Sequence, residues 1–302
     1  MYQELIKEIC NENNIKYKFL SKNWIIKLEK DNNIRFIAGN KFDLNGHAVG
    51  LILDDKYALF DVLKNSGINV CEYKIFYNKD NKYDYAIGCN TYDSAIEYFK
   101  NNNCNVVIKP NNGSKGLNIY HIINEKDLIK TLDELFIKNY SISICPYYEI
   151  ENEYRVIVLN NEVKLIFGKI KPIVIGDGVS TLKEILINFN ESYFKDKEID
   201  NYIPKLNEIY EYDWKFNLSR GAKSFYDIDD ELKCKLSEIA INVCKSVDIK
   251  FASVDIVKLS TGELKVLEAN SVVTIDKVTN FLPNGKDIAK KIYTEAVLCL
   301  FK

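Results

Sequence analysis

Apolar positions at the helical period open the chain. Leu5, Ile6 and Ile9 share one face of a helix expected over residues 2–12. Two strand-like runs follow, Trp-Ile-Ile-Lys-Leu at 24–28 and Ile-Arg-Phe-Ile-Ala at 34–38, joined by an Asp-Asn-Asn turn. Tyr57, Leu59, Phe60 and Leu63 predict a helix over 54–66, with Gly67 as its C-terminal cap. Strands are expected at 68–77 and 83–88, then a helix over 92–101 capped by Thr91. A short apolar strand at 105–109 leads into a glycine-containing loop, and another strand lies near 117–122. Asn124 starts a helix carrying Leu128, Leu132, Leu135 and Phe136. Residues 141–145 form a strand that enters a Pro-Tyr-Tyr connector.

The second half returns to strand periodicity. Apolar runs at 154–159 and 163–168 flank Asn160-Asn161, a hairpin signal because asparagine tolerates positive φ. A glycine-rich turn at 175–181 ends in Thr181, which with Glu184 fits a capping box. Residues 190–226 are polar, tyrosine-rich and weakly periodic, and are expected to form a long excursion. The clearest helix spans 229–247, with Leu232, Leu236, Ile239, Ala240 and Val243 on one side. A hairpin turning at Thr261-Gly262 and a closing helix over 286–300 complete the chain. The pattern divides it into an N-terminal α/β domain at 1–102, an α+β subdomain at 103–152 and a C-terminal subdomain at 153–302.

Composition narrows the function classes. The chain has 302 residues, 47% of them hydrophobic and 28% charged, as in ordinary globular proteins. A formal net charge of -2 gives no reason to expect nucleic acid or a membrane surface as partner. No run approaches eighteen apolar residues, and the N-terminus lacks the apolar segment of a signal peptide, so the expected location is cytoplasmic. The eight cysteines form no CxxC pair, and only His47 and His121 could join them at a metal. Buried free thiols are the expectation.

The terminal hairpin carries the strongest chemical signal. Asp255 in Ser-Val-Asp-Ile, expected at or near a strand's end, and Glu268 and Asn270 in Leu-Glu-Ala-Asn each interrupt an apolar stretch. There an unpaired polar group would be costly to bury. Glu268 and Asn270 are two apart, so they share a sheet face. Oxygen donors without thiolate or imidazole suit Mg²⁺ carried by a nucleotide, although a solvated polar face would give the same pattern. Upstream, Lys109 precedes Pro110 at a strand's end, beside Gly113 and Gly116, where backbone amides can approach an anion. The lysine precedes the glycines, so this is no Walker A motif. Arg155 is either half of a surface ion pair or a planar donor for carboxylate or phosphate. Lys169 and Lys171 end the next strand, and Asn217, Arg220 and Lys223 surround Gly221.

Together these motifs resemble the ATP-grasp superfamily of carboxylate–amine ligases, most closely its cyanophycin-synthetase-like and glutamate-ligase-like branch. The resemblance runs from about residue 40 to the end. It rests on 55–63, 67–70, 107–116, 153–158, 169–178 and 217–222, and most specifically on Asp255, Glu268 and Asn270. It implies an α+β fold with two subdomains clamping ATP behind a small N-terminal domain. By position it assigns nucleotide contacts to Lys56, Lys109, Asn112, Gly113, Ser114, Lys115, Gly116, Tyr147 and Glu149. Asp255, Glu268 and Asn270 would hold Mg²⁺, two ions in all, with Mn²⁺ as a substitute. Arg155, Lys169, Asn217 and Arg220 would hold the transferred phosphate and the acceptor carboxylate, with 190–226 closing over them. The implied partners are an amino acid or short peptide and an amine, and the relatives' dimers imply a homodimer. Cys145, Pro146 and Tyr147 stand where the family has an acidic nucleotide contact, so Glu149 or Glu151 takes that place. Lys169 replaces a common arginine, and Arg220-Gly221 a common glycine pair. A small-molecule kinase of the same fold and a non-catalytic nucleotide-binding protein are the rival readings.

Overall fold

The computed structural model describes residues 2–78, 92–113, 117–194, 199, 201–218, 221–275 and 282–302. The strand expected at 83–88 and the Thr91 cap lie outside the described residues, as do Ser114, Lys115, Gly116 and Arg220. Two compact units emerge, Met1–Ile166 with Ile228–Lys302, and Phe167–Asp227.

In the first unit, α1 (Tyr2–Glu12) buries Leu5, Ile6 and Ile9 completely. It covers the antiparallel sheet β1 (Lys16–Leu20), β2 (Ile25–Lys30), β3 (Asn33–Ala38) and β4 (Lys41–Phe42). β1 was not expected. Its Lys-Tyr-Lys-Phe alternation hides a strand whose aromatic residues Tyr17 and Phe19 pack against the core. The helix expected over 54–66 is α3 (Lys56–Asn65), and a further helix, α2 (His47–Asp54), precedes it, separated from it by Asp55. Asp55 is extended and accepts from the Ala58 amide as an N-cap, an arrangement that typically stabilises a helix by about 1 kcal/mol. Gly67, at φ +76°, ends α3: its amide reaches the Lys64 carbonyl and the Ile68 amide reaches Leu63.

The apolar run at 68–77 is shared between two sheets. Val70 forms a parallel bridge to Val266, and only Lys74–Tyr77 forms the strand β5. After α4 (Tyr92–Asn101) come β6 (Val106–Pro110), β7 (Tyr120–Ile122), α5 (Glu125–Lys138) and β8 (Ser141–Pro146). Their antiparallel order is β5-β8-β6-β7, so this sheet contains strands from both sides of residue 102. Asn124 caps α5 by accepting from the Asp127 amide, as expected.

The largest sheet contains β9 (Ile150–Leu159), β10 (Glu162–Ile170), β14 (Phe251–Leu259) and β15 (Leu264–Asn270). In the first unit its order is β10-β9-β14-β15. Asn160 and Asn161 have φ of 51° and 61°, giving the expected hairpin turn. α7 (Asp230–Val247) packs on β9 and β14, and its N-cap Asp229 accepts from the Leu232 amide. The closing helix α8 (Gly285–Cys299) supplies Tyr293, whose hydroxyl donates to the Val273 carbonyl and accepts from the Ile275 amide. This fixes the chain just beyond β15.

The second unit contains β11 (Ile173–Ile175), α6 (Leu182–Phe194), β12 (Ile209–Glu211) and β13 (Lys223–Phe225). Thr181 and Glu184 exchange the predicted capping bonds at 3.3 and 2.8 Å. β13 pairs with the end of β10, setting Gly168 opposite Phe225. The Phe225 ring occupies the space a Cβ at 168 would need, only 2.1 Å away. Val174, Leu182, Leu186 and Phe194 form this unit's own core.

Candidate functional site

The hairpin β14–β15 presents its polar residues on one face. Asp255 lies opposite Glu268, and Ser253 opposite Asn270. The register slips between Asp255 and Ile256, leaving Leu267 as an extra residue. Along β15 the buried residues Val266 and Ala269 are consequently three apart instead of two. The slip turns Glu268 and Asn270 toward the face of Asp255. Asp255 sits in the middle of its strand, which corrects the expectation that it ends there. The strand continues because Ile256 and Val257 are both fully buried.

On the other side of β14, Arg155 of β9 stands opposite Asp255. Its Nε and Nη2 donate to the two carboxylate oxygens at 2.7 and 2.6 Å. Burial alone would lower the Arg155 pKa, but the Asp255 carboxylate outweighs it and holds the guanidinium above its ordinary value. Asp255 is only 1% exposed, so this pair is internal, not on a solvated face. Asn270 donates to Glu268 Oε1 at 3.0 Å.

The basic half is built on α3 and β6. Lys109 is buried, and its ammonium donates to the Tyr73 hydroxyl at 2.7 Å. Tyr73 in turn donates to the Leu267 carbonyl at 3.3 Å. Two hydrogen bonds therefore join Lys109 to the residue preceding Glu268. Lys56, the first residue of α3, donates to the carbonyls of Gly113 and Asn111 at 2.6 and 3.3 Å. Burial first, and then the neighbouring Lys109 ammonium, push Lys56 down to about 8 against a partial lift from Glu268.

Asn111 organises the loop, a part that the sequence did not single out for it. It is fully buried; its Oδ1 accepts from the Tyr57 amide and the Ser143 hydroxyl, and its Nδ2 donates to Asp55. The loop's first residue is thereby fixed to both α3 and β8. The sequence signal was an asparagine directly after a strand-ending proline. Asn112 is exposed, and a Cβ on Gly113 would press to 3.3 Å against the Pro110 side chain.

In the connector, Tyr147 stacks on His121 with centroids 3.9 Å apart, while His121 Nε2 meets Asn105 Oδ1 at 2.7 Å. Burial lowers the His121 pKa. Glu149 is exposed and its carbonyl accepts from the Ser260 amide, whereas Glu151 pairs with Lys258 at 3.0 Å. Cys71 and Cys145 are buried nearby; burial pushes the Cys71 thiol up to about 12 and raises Cys145 as well, so both remain protonated. Cys104 and Cys234, by contrast, are exposed.

Lys169 and Asn217 belong to the second unit. Lys169 is buried opposite Ser224, Lys171 pairs with Glu211 at 3.2 Å, and the Asn217 carbonyl accepts from the Ala222 amide around Gly221. The first unit thus brings together Lys56, Lys109, Arg155, Asp255, Glu268 and Asn270.

Among the described residues there is no group of three or more His, Cys, Asp or Glu side chains able to hold a metal ion. Two carboxylates and an amide on one face fit an ion that arrives with phosphate oxygens already bound.

Comparison with known proteins agrees with this architecture. Residues 200–296 match the RimK-like ATP-grasp domain family. The glutathione biosynthesis bifunctional protein of Streptococcus mutans is 24% identical over 190 residues, covering 61% of this chain and 23% of that protein. Its counterpart in Clostridium perfringens is 26% identical over 244 residues, covering 72% and 29%. A bifunctional glutathione synthetase from Pasteurella multocida superposes with a TM-score of 0.55 at 19% identity, over 97% of this chain and 44% of that one. A D-alanine–D-alanine ligase from Bacillus anthracis gives 0.54 at 14% identity, over 83% and 66%.

The chain has the ATP-grasp fold. Within it, the matched domain is of the RimK-like kind. The chain spans less than a third of the curated relatives' length. Among the described residues no helix is long and apolar enough to cross a membrane.

Proposed function

We propose that the protein is an ATP-dependent carboxylate–amine ligase that joins an amino acid or short peptide to an amine. The observation that carries this reading is the link from Lys109 through Tyr73 to the hairpin bearing Asp255, Glu268 and Asn270. It sets buried positive charge beside oxygen donors, as a metal-bound polyphosphate requires. The relatives named for glutathione synthesis and D-alanine ligation support the reaction class.

A carboxylate is a poor electrophile. Transfer of the γ-phosphoryl group onto its oxygen gives an acylphosphate and ADP. The amine then attacks the acyl carbon, expels phosphate, and forms the amide after losing a proton. Lys56 and Lys109 would offset phosphate charge, with Asn112 and Gly113 at the loop that covers it. Ser114, Lys115 and Gly116 would continue that cover, and Tyr147 and Glu149 would meet the nucleoside. Glu268, Asn270 and Asp255 would hold Mg²⁺, which supplies charge neutralisation and orientation of the phosphoryl group. Two ions, with Mn²⁺ able to replace them, remain part of the proposal. Lys169, Asn217 and Arg220 would serve the transferred phosphate and acceptor carboxylate. Arg155 would act chiefly by holding Asp255 in place, because its fork is already engaged. A homodimer and a cytoplasmic location belong to the same reading.

The test crosses amino-acid and peptide acids with amines in an ADP-release assay, followed by mass measurement of the condensed product. Amine-dependent ADP and phosphate are expected, with release abolished by Glu268→Gln. Formation of AMP and pyrophosphate would defeat the mechanism. ADP formation with a stable phosphorylated product would favour a kinase.

A further inference from the structure

We propose that Tyr73 is a positioning residue that couples the Lys109 ammonium to the Leu267 bulge, and through it to Glu268 and Asn270. Tyr73 is 5% exposed, and its hydroxyl stands between the two halves of the site. It accepts from Lys109 at 2.7 Å and donates to the Leu267 carbonyl at 3.3 Å. Burial raises the Tyr73 pKa well above its ordinary value, with Cys145, Cys71 and Glu268 adding to the effect. The phenol therefore keeps the proton it gives to Leu267, and its lone pair is left for the ammonium.

The ring has its own part in this arrangement. Lys109 Nζ lies 4.4 Å from its centroid, and Phe60 packs edge-on at 6.2 Å, so the phenol cannot swing without disturbing both. The backbone leading to Tyr73 is clamped to the same strand that carries the bulge. Cys71 donates to the Val266 carbonyl at 2.9 Å, and Val266 donates to the Asn69 carbonyl at 2.9 Å. A tyrosine serving only as core filling would need the ring but not these two hydroxyl bonds. The bulge carbonyl is the more informative partner, because its peptide unit includes the Glu268 amide. Holding that peptide fixes the direction in which the Glu268 side chain leaves the strand.

The proposal rests on reading this site as a nucleotide site, so its test has one arm that is independent of nucleotide. Tyr73→Phe keeps the ring and deletes the oxygen. In the nucleotide-free chain, NMR of labelled lysine side chains and backbone amides is expected to show both the Lys109 ammonium and the Glu268 amide moving in the variant. Movement of Lys109 alone, or of neither, overturns the coupling. In the second arm, Mg²⁺ is titrated against a fixed concentration of ADP. The midpoint is expected to rise about tenfold in Tyr73→Phe, as for other residues that orient metal ligands. An unchanged Mg²⁺ midpoint overturns the positioning role. If the unaltered chain binds no ADP with Mg²⁺, the nucleotide reading fails, and the spectroscopic arm still decides the coupling.

Discussion

The acidic and basic halves of the site compensate their charges differently. Asp255 is bound through both oxygens by Arg155, a charge partner. Lys109 and Lys56 instead donate to neutral oxygens, a phenol and two backbone carbonyls. The first arrangement is internally compensated and contributes to folding. The second leaves positive charge available to a ligand, at the cost of keeping ammonium groups poorly solvated. The Arg155–Asp255 pair should therefore matter first for stability, and Lys56 and Lys109 first for binding.

The largest effect should come from breaking the compensated pair. Arg155→Met leaves a buried carboxylate without its partner and should cost about 3–5 kcal/mol in denaturant unfolding. Adding Asp255→Asn should recover part of that loss; failure to recover it would deny that the two act as a pair. Lys109→Met should do the reverse. Folding should be unchanged or slightly improved, while ADP affinity measured by calorimetry falls by about 2–3 kcal/mol, roughly a hundredfold. A comparable loss of stability would erase the distinction between the halves. Asn111→Ala should cost about 1–3 kcal/mol of stability, because it removes a buried hub and leaves the Ser143 hydroxyl and the Tyr57 amide short of a partner.

The smallest effect is a proton. Lys56 titrates at about 8 in the folded chain, below its ordinary value of 10.5. Its protonated form is therefore penalised in the folded state, and this penalty fades as pH rises from about 8 to 10.5. A bound phosphate should raise the Lys56 pKa again, so nucleotide binding near pH 8 should take up about half a proton. Calorimetry in buffers of different ionisation enthalpy measures that uptake, and Lys56→Met should abolish it. Uptake that survives the substitution assigns the proton to another group.

The same contrast explains what could be read from the sequence. Asp255, Glu268 and Asn270 were legible because each interrupts an apolar stretch, and the asparagine turn at 160–161 because its backbone requirement is local. The bulge at Leu267 was less visible, since a register slip shows only when two strands are paired. Val266 and Leu267 side by side were its only sequence trace. Tyr73 lay inside an apolar run that resembled a single strand, yet that run crosses from β15 to β8 and places its phenol between them. Gly46 and Gly50 obscured α2, which begins without a side-chain cap. Arg155 was visible as a planar donor, but whether it would face solvent, ligand or Asp255 depended on its neighbour strand.

The missing side chain at Gly168 has a consequence for how this protein can diverge. Because the Phe225 ring fills that space, positions 168 and 225 behave as lock and key across one rung of their sheet. Homologous chains carrying even alanine at the first position should carry a much smaller residue at the second. Exchange of one without the other should pry β13 off its neighbour.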